Sequence, residues 1–211
     1  MTRFIVSNSR LRSKISDVLP IADRTEYPPL QKVLVVVGEG DVYLAATDRY
    51  VILAASISPS EIEDPRRHRF TLSIPQLRFI LAYLRHVADG RVRVRVTDVA
   101  LTLDPESDSP LTIRYADTVG YPDVLGAIRD AFSEEQISSR PPEPKAYNPS
   151  LISHIKNVQL WATGDDSRPA VFSDQAGTTG VIMPVRTSVV EAAARHRDAN
   201  PVLFEDLDES E

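Results

Sequence analysis

The feature that most constrains this chain is an order of elements that recurs: strand, helix, three strands. The first copy opens with the alternating, β-prone "TRFIVS". It continues with "NSRLRSKISDVLPIAD", in which Leu11, Ile15, Val18 and Leu19 return at helical spacing. Ser7 or Asn8 is placed to cap that helix, and Pro20 to stop it. "KVLVVV" and "DVYLAA", joined by the hairpin signal Gly38-Glu39-Gly40-Asp41, and then "YVILAAS" supply three strands. The second copy runs "HRFTLS", a helix announced by Ser73 and Pro75 with Leu77, Ile80, Leu81 and Leu84 on one face, then "RVRVRVTD", "ALTLD" and "PLTIRYA". A third, shorter copy begins near Lys145, where "KAYNPSLISHIKNV" puts Asn148 and Pro149 at a helix start. "QLWATG", "PAVFSD" and "GVIMPV" close it. Between the second and third copies, "VLGAIRDAFSEEQISSRPPEPK" reads as a short amphipathic stretch followed by a proline-rich linker. A unit repeated at this scale means a modular architecture.

With 211 residues the chain can bury the core of one large domain or two small ones. Its 42% hydrophobic and 26% charged residues are ordinary for a globular protein, so disorder is not the default. There is no cysteine, which removes disulfides, thiolate metal sites and cysteine nucleophiles. The opening "MTRFIVSNSRLRSK" has no apolar core of signal-peptide length and no later run approaches a membrane span, so a cytoplasmic protein with no membrane partner is expected. The net charge of -6 is unevenly placed: after Arg186 there are seven acidic residues and two arginines, leaving 22 basic and 23 acidic residues up to and including Arg186. A near-neutral body can still carry one basic face and one acidic face.

Three short stretches narrow the reading. "LQKVLVVVGEGDVYLAATDRYVILAAS" is a strand pair ending in an Ala-Thr-Asp turn, "YPDV" at Tyr121 to Val124 is an aromatic-Pro-Asp, and "VIMPVR" ends in Met-Pro-x-Arg. In this order, on βαβββ units, they resemble the bacterial DNA polymerase III β sliding clamp family, as a shortened, two-domain, divergent member. The resemblance implies an α+β DNA-clamp fold built from repeated βαβββ units, one full clamp domain plus a reduced second one. It divides the chain into an N-terminal clamp domain at 1–120, a linker with a short helix at 121–144, a reduced C-terminal clamp domain at 145–186 and a tail at 187–211 that is expected to be helical, then acidic and mobile.

The resemblance also implies a function: a processivity factor whose helices line a hole around duplex DNA, held without regard to sequence, and whose pocket captures DNA polymerase and clamp-loader peptides. Arg10, Arg12 and Lys14 on the first helix, Arg78 and Arg85 on the second and Lys156 on the third would face the DNA. The bland reading of any one of these cations is a solvated helix face. If "VLGAIRDAF" supplies a fourth helix, each chain gives two domains and a homo-oligomeric ring needs three chains; if it does not, closure by three is unsafe. Carried over by position, the peptide pocket would comprise Thr47, Tyr50, Ile52, Pro122, Val181, Met183, Pro184 and Arg186. Methionine adapts to varied apolar side chains, proline gives a rigid wall, and arginine binds a carbonyl or an acid. Met183 has core filling as its plain alternative. The turn departs from the family's usual "ATDGHRLA"-like pattern, with Arg49, Tyr50 and Val51 in place of Gly-His-Arg.

Other features are read more simply. Alternation in "RVRVRV" puts Val92, Val94 and Val96 on the core side and Arg91, Arg93 and Arg95 outward, where they keep the sheet soluble or meet acids. The four histidines show no metal-ligand spacing, and there is no G-x-S-x-G turn or Walker A loop, so no cofactor and no enzyme activity are expected. Asp48 reads as a cap for its own turn. In the tail, "PVLFEDL" sets Leu203-Phe204 among acids, either as a solubilising end or as a segment that visits the pocket. The rival to a ring is an adaptor or decoy that binds clamp-interacting peptides without encircling DNA.

Overall fold

A computed structural model describes residues 1–132, 147, 152, 159–161 and 169–184. Two antiparallel sheets enclose the main core. The first, five-stranded, has the order β5 (Glu61–Glu63), β1 (Thr2–Ser7), β7 (Arg91–Val96), β8 (Ala100–Pro105), β9 (Leu111–Arg114). The second, seven-stranded, has the order β10 (Gln159–Trp161), β11 (Ala170–Ser173), β12 (Thr178–Ile182), β4 (Val51–Ile57), β3 (Val42–Thr47), β2 (Lys32–Val37), β6 (His68–Ser73). The repeated units exchange their first strands: β1 pairs with β7 of the second unit, and β6 pairs with β2 of the first. The closing strands of the third unit extend the seven-stranded sheet through β12 on β4. The short β5, which carries no strong strand pattern, pairs with the free side of β1.

Two helices pack on the inner faces of the sheets. Helix α1 (Asn8–Arg24) is capped by the Ser7 side chain, which accepts from the Arg10 backbone N–H. It does not stop at Pro20 as the sequence predicts. A mid-helix proline costs roughly 3 kcal/mol. Beyond it Ile21 and Ala22 are both fully buried, and burying an isoleucine side chain alone returns about 1.5–3 kcal/mol. Helix α2 (Ile74–His86) starts with a capping box between Ser73 and Gln76 and buries Leu77, Ile80, Leu81 and Leu84. Asn8 joins the two helices. Its side-chain amide donates to the carbonyls of Leu84, Val87 and Ala88 at 3.0, 3.1 and 3.3 Å, at the C-terminal end of α2, where carbonyls have no partner within the helix.

The third helix, α3 (Val124–Ala131), is capped by Asp123 and lies against the opposite, outer face of the seven-stranded sheet. There Val124 and Ile128 form a second apolar cluster with Leu34, Ala45 and Ala54. The short helix therefore does not stand in the layer of α1 and α2, and it does not supply the fourth helix on which closure by three chains was reasoned. Tyr121 seals this packing, its hydroxyl lying 3.2 Å from the Lys32 carbonyl and 3.3 Å from that of Ala45. Burial pushes its phenol pKa far up. Along β12, Gly180 lies opposite Phe172, where a Cβ would run into that ring and into the Ile52 carbonyl oxygen. Gly177, in the turn before β12, has φ +84°, a conformation glycine adopts without strain.

Candidate functional site

The outer face of the seven-stranded sheet gathers most of the residues expected to bind peptide. Thr47 is the cross-strand partner of Ile52, Ile52 of Val181, and Val181 of Val171, and partners of this kind share one face. At the end of this row the chain turns through Thr47-Asp48-Arg49-Tyr50. The Thr47 hydroxyl accepts from the Arg49 N–H at 3.2 Å, and Asp48 Oδ1 accepts from the N–H groups of Tyr50 and Val51 at 2.9 and 2.8 Å. Asp48 is thus a turn cap, as its side-chain chemistry predicts. The Met183 N–H donates to the Tyr50 carbonyl at 2.8 Å, so the last bonded residue before Pro184 is tied to the turn. Pro184 has no N–H with which to continue the ladder.

Exposure divides these residues into two groups. Tyr50 is 58% exposed, while Ile52, Met183 and Pro184 are half-buried, so these four keep surface open to solvent. Thr47 and Val181 are almost wholly buried, which corrects their expected place on the pocket wall. Thr47 serves its own turn, and Val181 is a floor residue between Ile52 and Val171. Pro122 is exposed and follows Tyr121 directly into α3, with its carbonyl accepting from the Val124 N–H. Arg186 lies outside the described residues. Arg49 has φ +83°, in the left-handed region that strains any residue with a side chain, and its guanidinium carbon lies 6.0 Å from the centroid of the Tyr50 ring.

The expected DNA-facing cations are less uniform. Arg10 and Arg85 are exposed, Arg12 is half-buried, and Arg10 Nη1 donates to the Ser58 carbonyl at 3.2 Å. Arg78 is exposed but paired, its Nη2 lying 2.8 and 2.6 Å from the two carboxylate oxygens of Asp23 on α1. Lys14 is a correction. It is buried, with its ammonium donating to Thr178 Oγ1 on β12 at 3.1 Å and lying 3.6 Å from Asp17, so it fastens α1 to the sheet rather than facing outward. Helical spacing set it with Arg10 and Arg12, but position 14 lies beside the stripe residues Leu11 and Ile15, on the side that β12 covers. Lys156 lies outside the described residues.

On the five-stranded sheet the alternation is as read: Val92, Val94 and Val96 are buried, and Arg91 and Arg93 are exposed. Arg95 lies 3.5 Å from Asp104 on the neighbouring strand, so an acid within the same sheet meets it. Two contributors were not recognised in the sequence. Tyr121 gave only the signal of an aromatic ahead of a Pro-Asp cap, and Asn8 looked like one of two possible helix caps. Among the described residues no three His, Asp or Glu side chains come together to hold a metal ion, and no helix is long and apolar enough to cross a membrane.

No protein-family model matches the chain, and no curated protein matches it. Solved structures do. DNA polymerase III, beta subunit, from Thermotoga maritima is similar at 16% identity and a TM-score of 0.65, over 89% of this chain and 66% of that one. The DNA polymerase sliding clamp of Bacillus subtilis is similar at 13% identity and a TM-score of 0.65, over 89% and 65%. A sliding clamp from Bartonella birtlesii bound to griselimycin is similar at 13% identity and a TM-score of 0.67, over 92% and 68%. The chain thus spans about two thirds of the length of the clamp chains it matches. At such identities the likeness is one of architecture: the chain has the fold of the DNA polymerase III beta sliding clamps over that length.

Proposed function

We propose that this protein is a DNA sliding clamp, a non-catalytic processivity factor that encircles duplex DNA and holds polymerase or other replication and repair proteins through a peptide pocket. The observation that carries the proposal is the row Thr47–Ile52–Val181, ended by the backbone bond between Met183 and Tyr50. It turns two segments 129 to 133 positions apart in sequence into one apolar corner with an exposed aromatic and a proline wall. Such a corner suits a short apolar peptide anchor. The encircling role asks for several copies of the chain and for α1 and α2 facing the duplex. Contacts there can be sequence-blind, because topology rather than affinity retains the DNA.

A polymerase-derived peptide titrated by fluorescence polarisation tests the pocket. Met183→Lys is expected to weaken binding at least tenfold without lowering the thermal midpoint by more than a few degrees; unchanged affinity overturns the pocket. Retention on closed circular DNA against release from linear DNA tests the ring, with the mass in solution giving the number of copies. A second reading, an adaptor that binds such peptides without a ring, is favoured by one observation. With Lys14 buried and Arg78 paired to Asp23, the helix layer offers less free positive charge than its sequence promised. A monomer that binds the peptide and slips off both DNA forms establishes the adaptor.

A further inference from the structure

Arg49 holds a conformation that its side chain disfavours, at the rim of the corner just described. The turn itself does not need arginine, since Thr47 and Asp48 supply the hydrogen bonds that shape it. Glycine would adopt φ +83° freely. Strain retained at an exposed position is a sign of a task for the side chain. The guanidinium is exposed, beside the exposed Tyr50 ring, and among the described residues no carboxylate lies within salt-bridge distance of it. Tyr50 in turn is tied through its carbonyl to Met183. A cation with no acidic partner among the described residues thus stands on the edge of an apolar corner, an arrangement that fits an apolar anchor followed by an acid.

The chain itself contains such a segment, Leu203-Phe204-Glu205-Asp206, inside its strongly acidic last stretch. The described chain reaches the corner at Pro184, and 18 residues separate Pro184 from Leu203. Fully extended, that number spans about 60 Å, ample length to turn back to its starting point. A segment tethered this close presents itself at an effective concentration on the order of millimolar, so even a weak match competes with free peptides. Resting on the pocket reading above, we propose that Arg49 reads an acid beside the apolar anchor, and that its occupant is this chain's own Leu203–Asp206 segment. The pocket is then shielded until a better peptide displaces the segment.

Four full-length chains test this: the wild type, Glu205→Gln/Asp206→Asn, and that double variant with Arg49→Gly or with Arg49→Lys. The probes are a labelled synthetic peptide of residues 200–207 and its Gln/Asn counterpart. The double variant is expected to bind the acidic probe about three- to fivefold more tightly than the wild type, because its own segment competes less; equal affinity overturns the self-occupancy. In the double variant the acidic probe is expected to bind about three- to fivefold more tightly than its amide counterpart, within the range of a partly exposed charge pair. That preference should vanish with Arg49→Gly and persist with Arg49→Lys, which keeps both charge and strain. A thermal midpoint that rises in Arg49→Gly as the preference disappears separates recognition from a structural role; a preference that survives Arg49→Gly overturns the assignment. If the polymerase-derived peptide binds through Met183 while neither probe binds, this inference fails alone. If none of the peptides binds, the pocket reading fails with it.

Discussion

Replacing Asn8 probes the joint between the two inner helices. The Asn8 amide nitrogen has two hydrogens and faces three carbonyl oxygens, on Leu84, Val87 and Ala88, in a fully buried position. Asn8→Ala removes two net hydrogen bonds and leaves buried acceptors without a donor. At about 1 kcal/mol per bond and more for a stranded group, the loss is about 2–3 kcal/mol. For a chain of this size each kcal/mol moves the thermal midpoint by roughly 2–4 °C, so a fall of about 4–12 °C is expected by calorimetry. Asn8→Asp keeps the shape but turns the donor into an anion facing carbonyl oxygens. The first turn of α1 welcomes an anion by only about 0.3–1 kcal/mol, which is too little to offset the lost bonds and the repulsion. That variant should be least stable at neutral pH and recover as pH falls, because a protonated carboxyl donates one hydrogen bond back. An Asn8→Ala midpoint within 2 °C of wild type, or an Asn8→Asp deficit that ignores pH, would refute the reasoning.

Three further outcomes follow from named contacts. Gly180→Ala forces a Cβ against the Phe172 ring and the Ile52 carbonyl, and should cost roughly 1–3 kcal/mol in urea unfolding; adding Phe172→Leu should restore part of it, since the ring tip goes and the carbonyl stays. His68 has its pKa lowered, mainly by burial and then by the N-terminal ammonium, so the unfolded chain takes up the proton first. Its contribution is present above the unfolded value of about 6.5 and is lost as pH falls below it; urea midpoints between pH 5 and 8 should show that slope in wild type and a weaker one in His68→Gln. Lys14→Met removes a buried ammonium that touches Thr178 and Asp17, and should leave affinity for duplex DNA within twofold of wild type, whereas Arg85→Glu should weaken it measurably.

Local chemistry was readable where both partners lie within a few residues. The helix start at Ser73 and Pro75, the Asp48 turn and the inward valines of β7 all stand as the sequence reads. Asn8 shows where such reading stops. As a helix-start residue it looked like a cap for its own helix, but the carbonyls that it serves are 76 to 80 positions away. Pro20 shows a competition between a local rule and burial, decided by Ile21 and Ala22 on the core side of α1. The motifs singled out Tyr50, Met183 and Pro184, but what brings them to one corner of the sheet is the pairing of β12 with β4.

By itself the sequence determined most of the elements, most of their inward faces and the residues at their turns. Periods of 2 and 3.6, capping side chains and turn residues act within one element and are written in its own residues. Only the tertiary structure decided which strands are neighbours, that β1 and β6 change places between units, that α3 covers the outer face rather than joining α1 and α2, and that Lys14 points into β12. The reason is physical. Every strand edge offers the same N–H and C=O groups, so backbone pairing carries no address. The choice among neighbours is made by how whole apolar faces fit together, a property of the assembled core rather than of any one segment.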